Sequence, residues 1–255
     1  MFEDVKREVA VANRVLAETG LATGVLAGNG HASLRVPEAP DRFVIKGRGY
    51  AIDALARMRP EDMIVCDLEG YRVEGPPGGT QPFEVKMHSC IYRTYSEVKS
   101  IVHVHPRFVV VMSVLEAPLV PMCQEGIGIV RRPLPVYPHV KTIQSDEEGM
   151  EVANLLGDNR AVILQGHGAT TVASSLEESV LSMLQLEEQA RMNWYAYCAA
   201  GPDHKRIGDD RIAEMTERTP LRELPHFAGV MQGGQPRTGG VWAHYSDIVG
   251  QAIES

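Results

Sequence analysis

Residues 101–106 read IVHVHP, and this short segment decides both the fold and the chemistry predicted for the chain. Its apolar residues alternate with histidines, which predicts a strand that ends at the proline. Side chains two positions apart in a strand lie on the same face, so His103 and His105 can converge on one ion. Neutral imidazole is a good ligand for Zn²⁺ and for its neighbours in the divalent series. A pair of structural histidines would give the same pattern, and the segment alone leaves both interpretations open.

A second apolar segment, AVIL at 161–164, predicts another buried strand and is followed at once by QGHG at 165–168. Glycines on both sides of His167 let the backbone turn sharply and leave the imidazole unobstructed at the end of the strand. On its own, His167 would be an ordinary turn histidine. Together with the pair at 103 and 105 it completes a set of three imidazoles suited to a catalytic metal with an open coordination position.

A carboxylate is predicted at the start of a helix. The segment GPPGGTQP at 75–82 is too rich in proline and glycine for regular structure, and apolar residues at three- and four-residue steps then predict a helix over 83–97. Glu84 falls in its first turn, where the helix dipole stabilises a negative charge. The functional alternatives for Glu84 are a general acid/base and a metal ligand that substrate displaces. His88 lies on the same helical face and is predicted to pack.

Helices and strands alternate along the rest of the chain without a linker before residue 200. Helices are predicted over 3–18, 108–115 and 175–197, and strands over 33–36, 42–46 and 63–67. After residue 200 the sequence becomes rich in glycine and charge. We therefore predict a catalytic domain at 1–200 and an extension at 201–255 that packs on the same domain or on a neighbouring subunit.

Composition excludes several classes of partner. The 255 residues include 25 basic and 33 acidic side chains, which gives a net charge of −8 and a pI near 5.6. Such a balance repels nucleic acid and anionic membranes, and no apolar run is long enough to span a bilayer. Four scattered cysteines without a CxxC pair fit a reducing cytoplasm. The sequence thus predicts a cytoplasmic protein that binds neither nucleic acid nor membranes.

Four motifs occur in an order and spacing that resemble the class II aldolase/adducin family over about residues 5 to 200. They are GNGHASLR at 28–35, TQPFEVKMHSCIYR at 80–93, IVHVHP at 101–106 and VILQGHG at 162–168. The resemblance implies an α/β fold of three layers, α/β/α, with a central, largely antiparallel sheet, assembled as a homotetramer. It also implies one divalent ion per subunit on His103, His105 and His167, with Glu84 as the catalytic acid/base. Zinc and manganese are the first choices for the ion, and iron and cobalt are alternatives.

The sequence departs from the sugar-phosphate aldolases of that family where they bind phosphate. The serine pair before the glutamate is replaced by Pro82 and Phe83, and the second loop reads IKGRG at 45–49. Lys46 and Arg48 in this loop suit a planar carboxylate, although either could be a solvated loop charge. Asn29 and His31 in the glycine turn, and Tyr245 in the extension that can close a site at a subunit boundary, are further candidates for binding substrate.

These departures resemble the decarboxylases of the family. We therefore predict a metal-dependent carbon–carbon lyase that decarboxylates a hydroxylated aromatic or heteroaromatic (di)carboxylate or a ring-cleavage acid. The alternative within the same fold is a (retro-)aldolase or epimerase acting on a small hydroxy-carbonyl compound. A non-catalytic interaction module like the adducins is a third possibility, but that branch does not keep the metal-binding residues.

Overall fold

A mixed eight-stranded sheet lies at the centre of the computed structural model, which describes residues 1–220, 223–227 and 240–254. The strands lie side by side in the order β4-β3-β2-β1-β5-β8-β7-β6, and every neighbouring pair is antiparallel except β6 and β7. Their bounds are β1 His31–Val36, β2 Ala39–Lys46, β3 Met63–Asp67, β4 Arg72–Glu74, β5 Ser100–Val104, β6 Val136–Tyr137, β7 Ala161–Leu164 and β8 Gly168–Ala173. The predicted, largely antiparallel sheet is confirmed.

Helices cover both faces of this sheet. Their bounds are α1 Glu3–Glu18, α2 Val85–Thr94, α3 Arg107–Val114, α4 Ile127–Val130, α5 Asp146–Leu156, α6 Leu176–Ala200, α7 Asp209–Thr216 and α8 Val241–Glu254. Helices α1, α3 and α6 pack in one hydrophobic core, and α2 and α5 pack in a second. Strand β5 supplies both cores, since Val102 and Val104 face the first and Ile101 faces the second. The alternation of apolar side chains along a buried strand therefore produces the predicted three layers.

The strand register brings chemistry-bearing residues to one end of the sheet. His103 of β5 lies opposite His31 at the start of β1 and opposite Thr170 of β8. Strands β7 and β8 are joined by a tight turn that contains His167. Because β8 lies next to β5, this turn reaches the end of the strand that carries the HxH motif.

Two elements differ from the prediction in ways that affect the site. Strand β5 ends at Val104, so His105 lies just beyond the strand and not within it. Helix α2 begins at Val85, which places Glu84 at the N-cap instead of inside the first turn, and it ends at Thr94. The predicted helix over 83–97 was therefore too long at both ends, because Phe83 and Glu84 lie in a turn and Tyr95 has an extended backbone.

Sequence patterns did not predict α5 and β8. Helix α5 begins with a capping box in which the Ser145 side chain accepts a hydrogen bond from the Glu148 amide, and its sequence EEGMEV is weakly apolar. Strand β8 reads GATTVA, with small and hydroxyl side chains where a buried strand usually has larger ones. Its two threonines, Thr170 and Thr171, are tolerated in the interior because their hydroxyls form hydrogen bonds with neighbouring elements.

The extension predicted at 201–255 is described only in part, since residues 221–222, 228–239 and 255 lie outside the described residues. Within the described part, α8 packs against α1 of the same chain, and Val249 belongs to the first core. In the portion of the chain that the structure covers, no helix combines the length and apolar character needed to cross a bilayer.

Candidate metal centre

Four side chains from three separate segments meet at the end of the sheet. Glu84, His103, His105 and His167 each offer one ligand atom, and these atoms all lie within 4.8 Å of one another. The ring centroids of His103 and His105 are 5.2 Å apart, and those of His105 and His167 are 4.7 Å apart. The structure thus brings together the three imidazoles and the carboxylate that the motifs singled out.

A glycine makes the close approach of the two histidine segments possible. A Cβ atom at Gly168 would lie 2.5 Å from the carbonyl oxygen of Val104 and 3.1 Å from the His105 ring. Any side chain at this position would therefore push the β7–β8 turn away from the end of β5. The second glycine of the QGHG motif is needed for packing as well as for the turn.

Hydrogen bonds orient the His103 ring and determine that its Nδ1 carries a proton. Its Nδ1 lies 3.1 Å from Thr170 Oγ1, and the Thr170 hydroxyl donates to the sulfur of Met87 at 3.3 Å. Thr170 Oγ1 must then accept from His103 Nδ1–H, and the neutral form of this ring has its lone pair on Nε2. That Nε2 atom is buried and forms no hydrogen bond. A buried lone pair with its ring held from behind is what a metal-binding histidine requires.

The remaining imidazoles are also suited to donate lone pairs. Burial lowers the pKa of His105 to about 3 and lowers the pKa of His167 below its ordinary value. Both rings are therefore neutral at pH 7, and neutral imidazole is the form that binds a divalent metal. The donor set of three imidazoles and one carboxylate fits Zn²⁺, Mn²⁺ or a similar ion.

Glu84 is held as an anion beside these rings. One of its oxygens lies 3.2 Å from His103 Nε2, and the other lies 3.4 Å from His167 Nε2 and 3.4 Å from the Ile143 amide nitrogen, which donates to it. Burial alone would raise the pKa of Glu84, but the imidazoles of His103 and His31 outweigh burial and lower that pKa well below its usual range. An ionised carboxylate in this position can ligate a metal or accept a proton.

The predicted carboxylate-binding loop carries an ion pair that the sequence did not reveal. Lys46 is 1% exposed, and its Nζ lies 2.5 Å from Asp53 Oδ1. Arg48 Nε lies 3.5 Å from the other Asp53 oxygen, and the Arg48 guanidinium lies over the Phe83 ring at 4.7 Å. Asp53 therefore balances one charge of the pair, and Lys46 is enclosed.

The other predicted substrate-binding residues are not all near the cluster. His31 is close, since its Nε2 lies 3.8 Å from Glu84 Oε2 and its ring centroid lies 5.3 Å from that of His103. Asn29 is half-buried in the turn before β1. Tyr245 on α8 lines a separate cavity of about 910 Å³ beside α6, and none of the four residues of the metal cluster lines that cavity.

His88 has a polar role that its helical position did not predict. It was expected to pack, and it is fully buried, but both ring nitrogens are bonded. Its Nε2 lies 2.9 Å from His31 Nδ1, and its Nδ1 lies 2.7 Å from Ser33 Oγ. The signal in the sequence was the HAS segment at 31–33, which places His31 and Ser33 on one face of a strand.

Comparison with known proteins identifies the family. A family model described as "Class II Aldolase and Adducin N-terminal domain" matches residues 7–194. The chain belongs to this family. The L-fuculose 1-phosphate aldolase from Glaciozyma antarctica PI12 superposes with a TM-score of 0.75 at 21% identity, over 99% of this chain and 90% of that one. This similarity confirms the predicted fold.

Relatives at higher identity bear on the reaction. The chain is 33% identical over 252 residues to the 3,4-dihydroxyphthalate decarboxylase of Rhodococcus jostii (strain RHA1), which covers 95% of both chains. It is 29% identical to the 3-oxo-tetronate 4-phosphate decarboxylase of Escherichia coli O6:H1, over 69% of this chain and 79% of that relative. The prediction of a lyase with decarboxylation as its first choice is confirmed by these relatives.

Proposed function

We propose that the protein decarboxylates a hydroxylated aromatic dicarboxylate of the dihydroxyphthalate type, using one divalent ion per subunit. The observation that carries the proposal is the convergence of His103, His105 and His167 around the ionised Glu84. The relative that matches along 95% of the chain has 3,4-dihydroxyphthalate in its name, which supports this substrate class. Heteroaromatic dicarboxylates and ring-cleavage acids, which the sequence also predicted as substrates, belong to the same proposal.

The three histidines would hold the ion, with zinc or manganese as first choices and iron or cobalt as alternatives. When bound, the ion acts as a Lewis acid that stabilises the negative charge left on the substrate as CO₂ departs. Thr170 keeps the His103 lone pair directed into the cluster, and Gly168 keeps the His167 turn against the end of β5.

Glu84 would carry the proton. Decarboxylation breaks the bond between the ring carbon and its carboxylate, releases CO₂ and leaves a carbon that must take up one proton. The ionised Glu84 can accept the proton of the substrate hydroxyl and deliver it, directly or through a water that it orients, to that carbon. The Ile143 amide donates to one oxygen of Glu84 and so fixes the carboxylate relative to the rings.

Recognition of the substrate would fall mainly to Arg48 and Phe83. The Arg48 guanidinium lies over the ring of Phe83, which directly precedes Glu84 in the sequence, and Phe83 is 64% exposed. A guanidinium binds a planar carboxylate through two parallel hydrogen bonds, while the phenyl ring can contact an aromatic substrate. Asn29 and His31 are proposed to contact substrate oxygens, and Lys46 to support the loop charge. Tyr245 lies away from the cluster of its own chain, so its proposed contact with substrate is at the site of a neighbouring subunit.

A second candidate is aldol cleavage of a small hydroxy-carbonyl compound. The fold neighbour named as an aldolase favours it, and the same imidazoles and carboxylate would stabilise an enediolate and move its proton. The phosphate-binding serine pair is absent here, so this candidate would require a non-phosphorylated or unusual carbonyl substrate.

We further propose that the protein works as a cytoplasmic homotetramer, which light scattering on the purified protein would test.

The deciding experiment measures CO₂ release and aldehyde formation by the metal-loaded protein. The panel contains 3,4-dihydroxyphthalate and related hydroxylated dicarboxylates, with L-fuculose 1-phosphate and 3-oxo-tetronate 4-phosphate as phosphorylated controls. We expect CO₂ from the dicarboxylates at a higher kcat/KM than from 3-oxo-tetronate 4-phosphate, and no aldehyde from L-fuculose 1-phosphate. Aldehyde release would instead favour the aldolase, and CO₂ release confined to the phosphorylated compound would overturn the proposed substrate class.

A further inference from the structure

A buried chain of hydrogen bonds leads away from Glu84 into the second core. His31 Nδ1 lies 2.9 Å from His88 Nε2, His88 Nδ1 lies 2.7 Å from Ser33 Oγ, and Ser33 Oγ lies 2.8 Å from the Tyr92 hydroxyl. All four side chains are buried. Four polar groups in an apolar interior are costly unless each is bonded, so an arrangement of this kind has to be fully connected.

Strand β1 and helix α2 supply the side chains of this chain of hydrogen bonds. His31 and Ser33 are two residues apart on β1 and point to the same face of the sheet. His88 and Tyr92 are four residues apart on α2, and Glu84 at the N-cap is four residues before His88. One face of a strand and one face of a helix therefore run in parallel, and their side chains interlock between the carboxylate and the Tyr92 ring.

The donors in this chain of hydrogen bonds can all point in one of two opposite directions. Both rings are buried, where an imidazolium is costly, and in neutral rings the 2.9 Å contact between His31 Nδ1 and His88 Nε2 and the 2.7 Å contact between His88 Nδ1 and Ser33 Oγ must share one donor direction. In one direction every donor points toward Glu84, from Tyr92 through Ser33 and His88, and His31 presents Nε2–H. In the opposite direction every donor points away, and His31 presents a lone pair.

The Tyr92 end favours donors that point inward. In the inward direction the Tyr92 hydroxyl donates to Ser33 Oγ at 2.8 Å, which is a normal distance for two oxygens. In the outward direction it would have to donate to the carbonyl oxygen of Lys99 at 3.3 Å. That carbonyl already accepts from the Arg35 amide at 2.8 Å, so it is satisfied without the tyrosine.

The Glu84 end selects the same direction. His31 Nε2 lies 3.8 Å from Glu84 Oε2, which is too far for a hydrogen bond but close enough for a charge to act on a dipole. An N–H directed at the carboxylate is attracted, whereas a lone pair directed at it is repelled. Both ends of the chain therefore agree, and each donor reinforces the next.

We propose that Tyr92, Ser33 and His88 are positioning residues that hold His31 with its Nε2–H directed at Glu84 and at a substrate oxygen bound beside it. The proposal deepens the proposed function and rests on it for the identity of the substrate oxygen. His31 is then a hydrogen-bond donor to the charge that develops on the substrate, and it is not a fourth imidazole ligand of the metal.

The direct test reads the imidazole nitrogens of the zinc-loaded protein. Protein labelled with ¹⁵N at histidine, with signals assigned by substitution, should show protonated Nε2 and unprotonated Nδ1 for both His31 and His88. Protonated Nδ1 on either ring would overturn the proposal. This readout needs no turnover, so a protein that releases no CO₂ from any substrate would refute the proposed function and leave the hydrogen-bond chain to be decided by its nitrogen shifts.

Two matched pairs of variants test positioning. His88→Leu removes the donor to His31 and should lower kcat about 10- to 100-fold with zinc content unchanged, whereas His88→Gln retains an amide donor and should recover most of that loss. Ser33→Ala should lower kcat about 3- to 10-fold and shift the His88 nitrogens. Ser89→Ala, at another buried serine of α2 that donates to the Lys86 carbonyl oxygen, should change neither.

The expected loss is in kcat more than in KM, because the donor acts on charge that appears as CO₂ leaves. Thermal unfolding of each variant identifies one that fails to fold. Folded Ser33→Ala and His88→Leu proteins with wild-type kcat and wild-type nitrogen shifts would contradict the proposal. Equal losses in His88→Gln and His88→Leu would contradict the assigned role of the N–H donor.

Discussion

The candidate metal centre and the loop that carries Lys46 and Arg48 differ in how their polar atoms are partnered. In the cluster, the buried Nε2 of His103 has no hydrogen bond, and the Glu84 carboxylate lies among the three imidazole rings. In the loop, the buried Lys46 is closely paired with Asp53. An unpaired buried lone pair is expensive and indicates a site kept ready for an ion, whereas a closed ion pair indicates a structural element. The comparison separates the residues that perform the chemistry from those that shape the loop around it.

The strongest way to break this comparison is to remove a ligand. His103→Ala eliminates the central imidazole, and we expect the metal content to fall from one ion per subunit to near zero, with loss of turnover. Metal analysis of the dialysed protein measures this, with the Ser89→Ala protein as the control. Full metal retention and unchanged activity in His103→Ala would show that the cluster is a structural set of histidines.

Replacing the carboxylate separates proton transfer from metal binding. Glu84→Gln keeps the shape of the side chain but cannot carry a proton, and we expect turnover to fall about 10²- to 10⁴-fold while the metal is retained. Steady-state kinetics and metal analysis on the same preparation provide both values. A variant that turns over at the wild-type rate would exclude Glu84 as the proton carrier.

Thr170 provides a finer test of the cluster. Thr170→Val removes the acceptor of the His103 Nδ1–H and should weaken metal affinity about 10- to 100-fold, because the imidazole is then less well oriented. Thr170→Ser keeps the hydroxyl and should bind metal nearly as tightly as the wild type. Competition with a chelator measures the two affinities, and equal affinities for Val and Ser would refute the proposed orientation.

The loop should respond differently at its two cations. Arg48→Ala removes the half-buried guanidinium and should raise KM for a dicarboxylate about 10-fold with little change in stability. Lys46→Ala leaves Asp53 without its buried partner and should instead lower the free energy of unfolding by about 3 kcal/mol. Denaturant titration and kinetics on both proteins check this contrast, which a shared effect on KM alone would contradict.

The sequence was informative where local pattern and chemistry coincide. The IVHVHP strand and the QGHG turn predicted the three imidazoles, and the loop before α2 predicted the place of Glu84, because a strand period and a helix start fix where such side chains lie. Which strands are neighbours came only with the structure, so the pairing of His103 with Thr170 could not be predicted.

Residues that act through long-range contacts also could not be predicted from the sequence. Asp53 lies in an unremarkable loop segment, and nothing in its neighbours indicates that it closes on Lys46. His88 was predicted to pack because a histidine on the apolar face of a helix is usually a core residue. Its bonds to His31 and Ser33 depend on how α2 lies across β1, which is a property of the whole fold.

The position of a bound ion tests the central claim most directly. Crystals of the zinc-loaded protein, measured at the zinc absorption edge, should show one anomalous peak per subunit at about 2.1 Å from a ring nitrogen of each of His103, His105 and His167. A zinc peak located elsewhere, or bound to the 103/105 pair without His167, would contradict the account of the metal centre.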